Sequence, residues 1–445
     1  MDVQTKQDIQ RVFQLQKKNQ KSKRVTTAEQ RKAKLNRFLD VITANEEEII
    51  AAIRDDVRKP YIEVKLAEVV GTVKSIKHNI ANLDEWMASK EVGSSISPDA
   101  QGILMYEPKG VCLILGPWNY PFMLTMVPLA SAIAAGNTAI VKLSDFTMKT
   151  SNIAAKIIRE AFDESDVAIF EGEVDVATEL LEQPFDHIFF TGSTNVGKIV
   201  MAAAAKNLSS VTLELGGKSP TIIDNGYDLM DAAKKIAIGK FINAGQTCVA
   251  PDYVFIKKEE QAMFAGIMEK VVQAGFLAED GTVDRNKFTQ IVNDRNFNRV
   301  KSLFDDAIRK GAEIAFGGQF DASDRTIAPT VLINVTPDMA IMQEEIFAPI
   351  LPILDYDQLD EVIDYINDRD KPLALYVFSQ NQEVIDEVLN NTTSGNASVN
   401  DVVVHFTDVN LPFGGVNTSG MGSYHGVYGF REFSHEKGVF IQAKK

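Results

Sequence analysis

Cysteine is nearly absent. The 445 residues carry only Cys112 and Cys248, too few for a disulfide framework and in keeping with a reducing cytosol, where a nucleophilic thiol stays reduced. Basic residues are outnumbered, 46 Lys+Arg against 61 Asp+Glu for a formal charge of −15, which opposes nonspecific attraction to nucleic acid or anionic membranes and argues against nucleic acid as a main partner. Long apolar runs are missing too. The longest, residues 123–141, is interrupted by Pro128, Ser131, Gly136 and Asn137, whereas a spanning helix takes ~20 predominantly apolar residues; it reads as a buried helix followed by a strand. Met1-Asp2-Val3-Gln4-Thr5-Lys6 leads into a polar helix rather than a secretory signal, and residues 439–445 are too short and polar to anchor the chain. A soluble, cytoplasmic protein is expected. His405, His425 and His435 show no ligand spacing, so no metal is expected, and there is no internal repeat or low-complexity tract.

The length implies two or three domains. Residues 5 to about 90 read as helices, with Leu35, Phe38, Leu39 and Ile42, then Ile49, Ile50 and Ile53, then Val64, Leu66, Ala67 and Val70 after Pro60, all at helical spacing. Gly, Ser and Pro near residues 93–108 precede a short strand or hairpin at Ile103-Leu104-Met105-Tyr106. From 111 to about 210, strand-like runs at 111–115, 138–141, 167–170 and 187–190 alternate with helical ones. This argues for a parallel sheet wrapped by helices, with nucleotide binding at the strands' carboxyl ends. A second α/β series, with strands at 220–223, 253–256, 350–354 and 373–378, runs to about 400. Two α/β domains meeting at a cleft are expected.

Within that frame Cys248 follows the small-residue stretch Phe241-Ile242-Asn243-Ala244-Gly245-Gln246-Thr247 between an apolar helix and a strand. A helix terminus or nearby positive charge there would lower the thiol's pKa from ~8.5; a buried small hydrophobe is the plainer reading. Four other stretches stand at strand ends. Gly116-Pro117-Trp118-Asn119-Tyr120-Pro121 holds the Asn119 amide between two prolines, suited to an oxyanion or simply a turn. Thr191-Gly192-Ser193-Thr194-Asn195-Val196-Gly197-Lys198 offers Ser193 as an N-cap and a helix N-terminus that favours phosphate, though it is neither the dinucleotide glycine fingerprint nor a Walker loop. Val141-Lys142-Leu143-Ser144-Asp145 places Lys142 and Asp145 where ribose hydroxyls would bind, or where a solvated lysine and a helix-capping aspartate would sit. Leu213-Glu214-Leu215-Gly216-Gly217 sets a carboxylate in an apolar strand before paired glycines, where burial raises its pKa toward that of a general base. Cys112, in a wholly apolar strand, is a core residue.

Glu214-Leu215-Gly216-Gly217-Lys218, the Cys248 stretch, Pro117-Trp118-Asn119-Tyr120-Pro121, Glu344-Glu345-Ile346-Phe347-Ala348-Pro349 and Leu411-Pro412-Phe413-Gly414-Gly415-Val416 together resemble the NAD(P)-dependent aldehyde dehydrogenase superfamily, over nearly the whole chain. Gly245–Tyr253 and Ser419-Gly420-Met421-Gly422-Ser423-Tyr424-His425-Gly426 look like its class 3 and fatty-aldehyde branch, here in a soluble form. The resemblance implies an α/β fold with a modified Rossmann cofactor domain (residues 1–90 and 106–210), an α/β catalytic domain (211–400), and bridging or oligomerisation segments (91–105 and 401–445) supporting a homodimer. It implies oxidation of medium- or long-chain aliphatic or aromatic aldehydes to acids with NAD or NADP. Cys248 matches the nucleophile, Asn119 the oxyanion donor and Glu214 the base for hydrolysis of a thioester, with Glu345 a competing base. Trp118, Lys142, Asp145, Gly192, Ser193, Gly197, Leu215, Glu345 and Phe347 match the cofactor side. Asp145 stands where a longer glutamate is usual, leaving room for a 2′-phosphate and so both cofactors open. His425 is a candidate for the substrate entrance. The alternatives are a CoA-acylating dehydrogenase, or a noncatalytic binding protein on the same fold.

Overall fold

The apolar spacing of the first 90 residues does produce helices. In the computed structural model, which describes residues 1–442, α1 (Val3–Lys23) is capped by the Asp2 carboxylate, and α2 (Ala28–Ala44) opens on a reciprocal capping box between Thr27 and Gln30 that satisfies amides left open at a helix start. α3 (Glu46–Val57) buries Ile49, Ile50 and Ile53. After α4 (Tyr61–Glu63) the chain widens into a π-helical segment, Val64–Val70, before α5 (Gly71–Met87). Such segments are rare and collect at functional sites; this one buries the carboxylate of Glu68.

Beyond α5, β1 (Lys90–Glu91) and β2 (Ala100–Pro108) form a three-stranded antiparallel sheet with β18 (Ser434–Gln442). Strands and helices then alternate: β3 (Val111–Leu115), α6 (Met123–Ala135), β4 (Thr138–Lys142), α7 (Met148–Ala161), β5 (Val167–Ile169), α8 (Val174–Leu181), β6 (His187–Thr191), α9 (Thr194–Ala205) and β7 (Ser210–Glu214). Every residue of β3, β4 and β6 is buried, as expected of parallel strands covered on both faces. Together with β17 (Gly420–Met421) they make a six-stranded sheet ordered β17-β7-β6-β3-β4-β5, parallel but for the β17 edge. The order reverses between β3 and β6, and ligands of such sheets bind at that crevice, beyond the carboxyl ends of the strands.

The second sheet contains β8 (Pro220–Ile223), β9 (Tyr253–Lys257), β10 (Glu313–Phe316), β13 (Thr330–Ile333), β14 (Ile350–Tyr356), β15 (Ala374–Phe378) and β16 (Asn396–Val399), in the order β10-β13-β14-β9-β8-β15-β16. A small hairpin, β11 (Phe320–Asp321) with β12 (Thr326–Ile327), stands apart. α10 (Leu229–Phe241) links β8 to the Cys248 turn. Two of the expected segment limits fall inside strands. The break after residue 210 cuts β7, whose five residues pair with β6, so the first sheet runs on to Glu214. The break after residue 105 cuts β2. Within 401–445, Gly420 and Met421 pair with Glu214 and Leu213. Residues 443–445 of the polar tail lie outside the described residues. Among the described residues no helix is long and apolar enough to cross a membrane.

Candidate active site

The turn before Cys248 is strained. Asn243, Ala244 and Gly245 all adopt left-handed backbone, with φ of 52°, 52° and 71°, a conformation that suits glycine and costs other residues energy. A Cβ on Gly245 would overlap the carbonyl of Ala348. Long-range hydrogen bonds hold the turn. Asn243 Nδ2 donates to the carbonyls of Asn119 and Gln246, each at 3.0 Å. Gln246 Nε2 donates to the Asn243 and Gln290 carbonyls at 3.0 and 3.1 Å, and its Oε1 accepts from Val292 N at 3.0 Å. Cys248 emerges half-buried, with its own amide and that of Val249 directed at the sulfur.

Among the described residues no cation acts on that sulfur. Burial pushes the thiol up to about 12, and the charges of Glu345 and Glu214 push the same way, while the two amides only partly offset them. The expectation of a lowered pKa is therefore corrected: the turn brings up two carboxylates rather than a lysine, and the thiol stays protonated at neutral pH until a base takes its proton.

Asn119 is buried in the loop after β3. Its Nδ2 donates to the Gln246 carbonyl at 3.0 Å, two residues before Cys248, and an amide nitrogen carries a second hydrogen to offer. The Asn119 carbonyl accepts from Lys59 Nζ at 2.8 Å as well as from Asn243. Next to it, Tyr120 Oη and Thr247 Oγ1 share a hydrogen bond at 2.9 Å. Sequence reasoning missed Lys59, Glu68, Asn243, Gln246 and Tyr120 as members of this neighbourhood. The one local sign was Glu68, four residues from Val64 and hence on the apolar face of its helix.

Glu214 ends β7 with 3% of its surface exposed and neither carboxylate oxygen partnered. Burial first, then the charge of Glu432, hold its pKa well above the ordinary carboxylate range. Glu345 lies against Gly216, where a Cβ would overlap both of its carboxylate oxygens. Burial, then Asp252, raise it to about 8, with the Gly217 amide, Arg299 and Lys218 pulling back. Its backbone is pinned: Lys218 Nζ donates to the Glu344 carbonyl at 3.0 Å, Arg299 to those of Glu345 and Ile346 at 3.1 and 2.6 Å, and Asp252 Oδ1 accepts from Ile346 N at 3.0 Å. Phe347, at φ 51°, sets its ring edge-on to Trp118, centroids 5.3 Å apart.

The remaining candidates border the strand-order reversal. Lys142, buried at the end of β4, donates to the Leu143 carbonyl at 2.9 Å, and burial lowers its pKa. Asp145 is half-exposed just beyond. Ser193 caps α9, accepting from Val196 N at 3.4 Å. One turn on, a Cβ at Gly197 would stand 2.8 Å from Leu215 Cδ2, so α9 rests directly on the end of β7; Gly192 is equally tight against the Phe190 ring. A cavity of about 440 Å³, lined by Thr194, Gly216, Gly217, Glu345 and Thr418 among others, opens between the sheets. The Thr418 hydroxyl in its lining is buried without a partner, as is that of Thr191 at the end of β6, and with the open N-terminus of α9 the cavity fits a dinucleotide. Elsewhere Cys112 is core, and His187 is satisfied by Ser210 Oγ at 2.8 Å and Thr212 Oγ1 at 3.1 Å. His425, at φ 80°, is buried among Phe406, Phe413 and Tyr424. Among the described residues no group of His, Cys, Asp and Glu is arranged to hold a metal.

A parallel sheet wrapped by helices, joined to a second α/β sheet, with a cavity of dinucleotide size lined by residues that follow β6 and β7, is the architecture of a cofactor-dependent oxidoreductase. The chain belongs to the Aldehyde dehydrogenase family, whose pattern matches residues 1–439. The Bacillus subtilis (strain 168) protein AldX is 78% identical over 443 residues, covering 100% of both chains. Aldehyde dehydrogenase family 3 member A2 of Mus musculus is 45% identical over 406 residues, 91% of this chain and 82% of the mouse protein, in agreement with the class 3 resemblance. Among solved structures, the NAD+ complex of the Bacillus cereus aldehyde dehydrogenase superposes with a TM-score of 0.90 at 28% identity, covering 99% of this chain and 89% of that one.

Proposed function

We propose that this aldehyde dehydrogenase oxidises medium- or long-chain aliphatic or aromatic aldehydes through a thioester on Cys248 that water, rather than CoA, resolves. The observation that carries the reading is that the Asn119 amide reaches the Gln246 carbonyl, two residues before Cys248, while the charges of half-buried Glu345 and buried Glu214 bear on the sulfur. A protonated thiol beside raised carboxylates favours a base-assisted attack: the Cys248 proton passes to a carboxylate as the sulfur bonds to the aldehyde carbon. The free hydrogen of Asn119 Nδ2 and the Cys248 amide donate to the oxygen as it takes on negative charge. When bound, the nicotinamide ring supplies the acceptor for the hydride that leaves that carbon. The acyl group then remains on Sγ. Glu214, whose two oxygens have no other partner, takes a proton from water as the water oxygen attacks the thioester carbon, and the acid departs as the sulfur is released.

Trp118, Lys142, Asp145, Gly192, Ser193, Gly197, Leu215, Glu345 and Phe347 would hold NAD or NADP, with Glu345 and Phe347 toward the nicotinamide end and Lys142 and Asp145 toward the adenosine ribose. The apolar substrate class is supported by exposed Ile62, Leu66 and Val70 on one segment and exposed Val404 and Leu411 on another, the two segments linked where Lys74 Nζ donates to the Thr407 carbonyl at 3.2 Å. A homodimer is supported by the open outer edge of the long β2–β18 pair, which exposes Met105, Phe440 and Ile441. A reduced Cys248 suits the cytoplasm.

The reading is tested by following reduced nicotinamide over aldehydes of increasing chain length, with NAD and with NADP, for wild type and Cys248→Ser. CoA-independent turnover that improves with chain length and vanishes in Cys248→Ser is the expected result. Turnover that requires CoA overturns the hydrolytic step.

A further inference from the structure

Lys59 and Glu68 form the most deeply buried ion pair of the described residues, both 0% exposed and 2.8 Å apart. Neither belongs to the constellation discussed above as reacting or cofactor-holding. Lys59 lies between α3 and α4, and Glu68 in the π-helical segment, so both come from the helical preface rather than from either sheet. Lys59 Nζ donates to Glu68 Oε1 at 2.8 Å and to the Asn119 carbonyl at 2.8 Å, and stands 4.0 Å from the centre of the Tyr120 ring. The second Glu68 oxygen accepts from the amides of Phe122 and Met123 at 3.1 and 3.0 Å. One ion pair thus grips the loop after β3 at three backbone points, residues 119, 122 and 123.

A buried pair of charges is a poor device for stability, because desolvation consumes most of the attraction and a well-packed apolar pair often serves the fold as well. What the pair secures is direction. With its carbonyl drawn inward to Lys59 and Asn243, Asn119 is left with its side-chain amide facing Gln246 and the Cys248 turn. Since Asn243 Nδ2 shares that carbonyl with Lys59, the same contact braces the left-handed residues ahead of Cys248.

We propose that Lys59 and Glu68 are positioning residues for the oxyanion donor, holding the backbone of 119–123 so that the Asn119 amide stays aimed at the reacting oxygen. The proposal rests on the reading of Asn119 given above, and the test separates the two. Lys59→Met/Glu68→Leu removes both charges of the pair, leaving the neighbouring Glu63 carboxyl, already raised by burial to about 7 and there opposed by Lys59, to stay protonated, and is compared with wild type, Asn119→Ala and the triple variant. A preorganised donor contributes ~10²–10³ in rate, so a donor left in place but loosened should lower kcat by roughly 10–100-fold while KM for aldehyde moves less than about threefold. In the Asn119→Ala background the same two substitutions should change kcat by less than about twofold, because the donor they serve is gone. An unchanged kcat in Lys59→Met/Glu68→Leu, or an equally large fall in the Asn119→Ala background, overturns the proposal. If Asn119→Ala itself turns over normally, the donor reading is what fails. Should the paired variant not fold, Glu68→Gln carries the same cycle. It keeps the packing but weakens the hold on Phe122 and Met123, and a coupled fall of about 3–10-fold is expected; additivity with Asn119→Ala refutes the role.

Discussion

Replacing Glu214 by glutamine removes a charge and a proton acceptor while nearly preserving shape. Two effects follow from the burial of its unpartnered oxygens. The first is kinetic. A positioned general base contributes ~10²–10⁴ in rate, and in the proposed sequence it acts after the hydride has left, so the variant should still reduce one nicotinamide per site in a rapid-mixing experiment. Steady-state turnover should then fall by ~10²–10⁴ while the acyl group stays on Cys248. The second effect is on stability. The folded-state pKa of Glu214 lies above its unfolded value; below pH ~4.5 both states are protonated and the charge is irrelevant. As pH rises the unfolded chain ionises first, so wild type loses stability that the glutamine variant keeps, at about 1.4 kcal/mol for each unit of upward displacement. The glutamine amide has its own desolvation cost, but that cost does not vary with pH, so the informative quantity is the difference between thermal midpoints of variant and wild type at pH 9 minus that at pH 5. It should be positive. Normal turnover without a burst would refute the assignment of the base, and if Glu345→Gln shows the burst instead, the role belongs to Glu345. A pH-independent difference in midpoints would refute the raised pKa.

A thiol at about 12 has only ~10⁻⁴ of its population ionised at pH 8; alkylation of cofactor-free enzyme at Cys248 by iodoacetamide should therefore climb close to tenfold per pH unit from 7 to 10, faster in Glu345→Gln, and a plateau near pH 8.5 would contradict it. Gly216→Ala drives a methyl group into the Glu345 carboxylate and should raise the cofactor KM by roughly tenfold or more, seen in initial rates at saturating aldehyde; an unchanged KM would mean that Glu345 does not hold the cofactor.

The exposed apolar residues of the 61–70 segment and the buried pair behind Asn119 arise from the same stretch of chain. Ile62, Leu66 and Val70 are exposed while Glu68, on the opposite side, is fully buried. The helical preface therefore does more than cover the first sheet: one face exposes apolar Ile62, Leu66 and Val70 and the other braces the loop that carries Asn119.

Local pattern by itself determined the element types. β3, β4 and β6 were legible as continuous apolar runs, Ser193 as a cap and residues 123–141 as helix then strand, because periodicity and capping act over a few residues. Asn119 and Glu214 were legible as candidates at strand ends and Cys248 as a candidate on a small-residue turn between a helix and a strand, whereas Glu345 entered only through the family resemblance. Only the tertiary structure decided that β7 closes the first sheet beside a strand from residues 420–421, that Asn243 and Ala244 turn left-handed, and that Lys59 reaches Asn119 across 60 positions while Asn119 reaches Gln246 across 127. It also reversed the sense of the Cys248 pKa. A thiol's ionisation depends on the polarity of its surroundings and on which charges the fold brings near it, and here those charges, Glu214 and Glu345, arrive from opposite sides of Cys248 in the chain, beyond the reach of any local pattern.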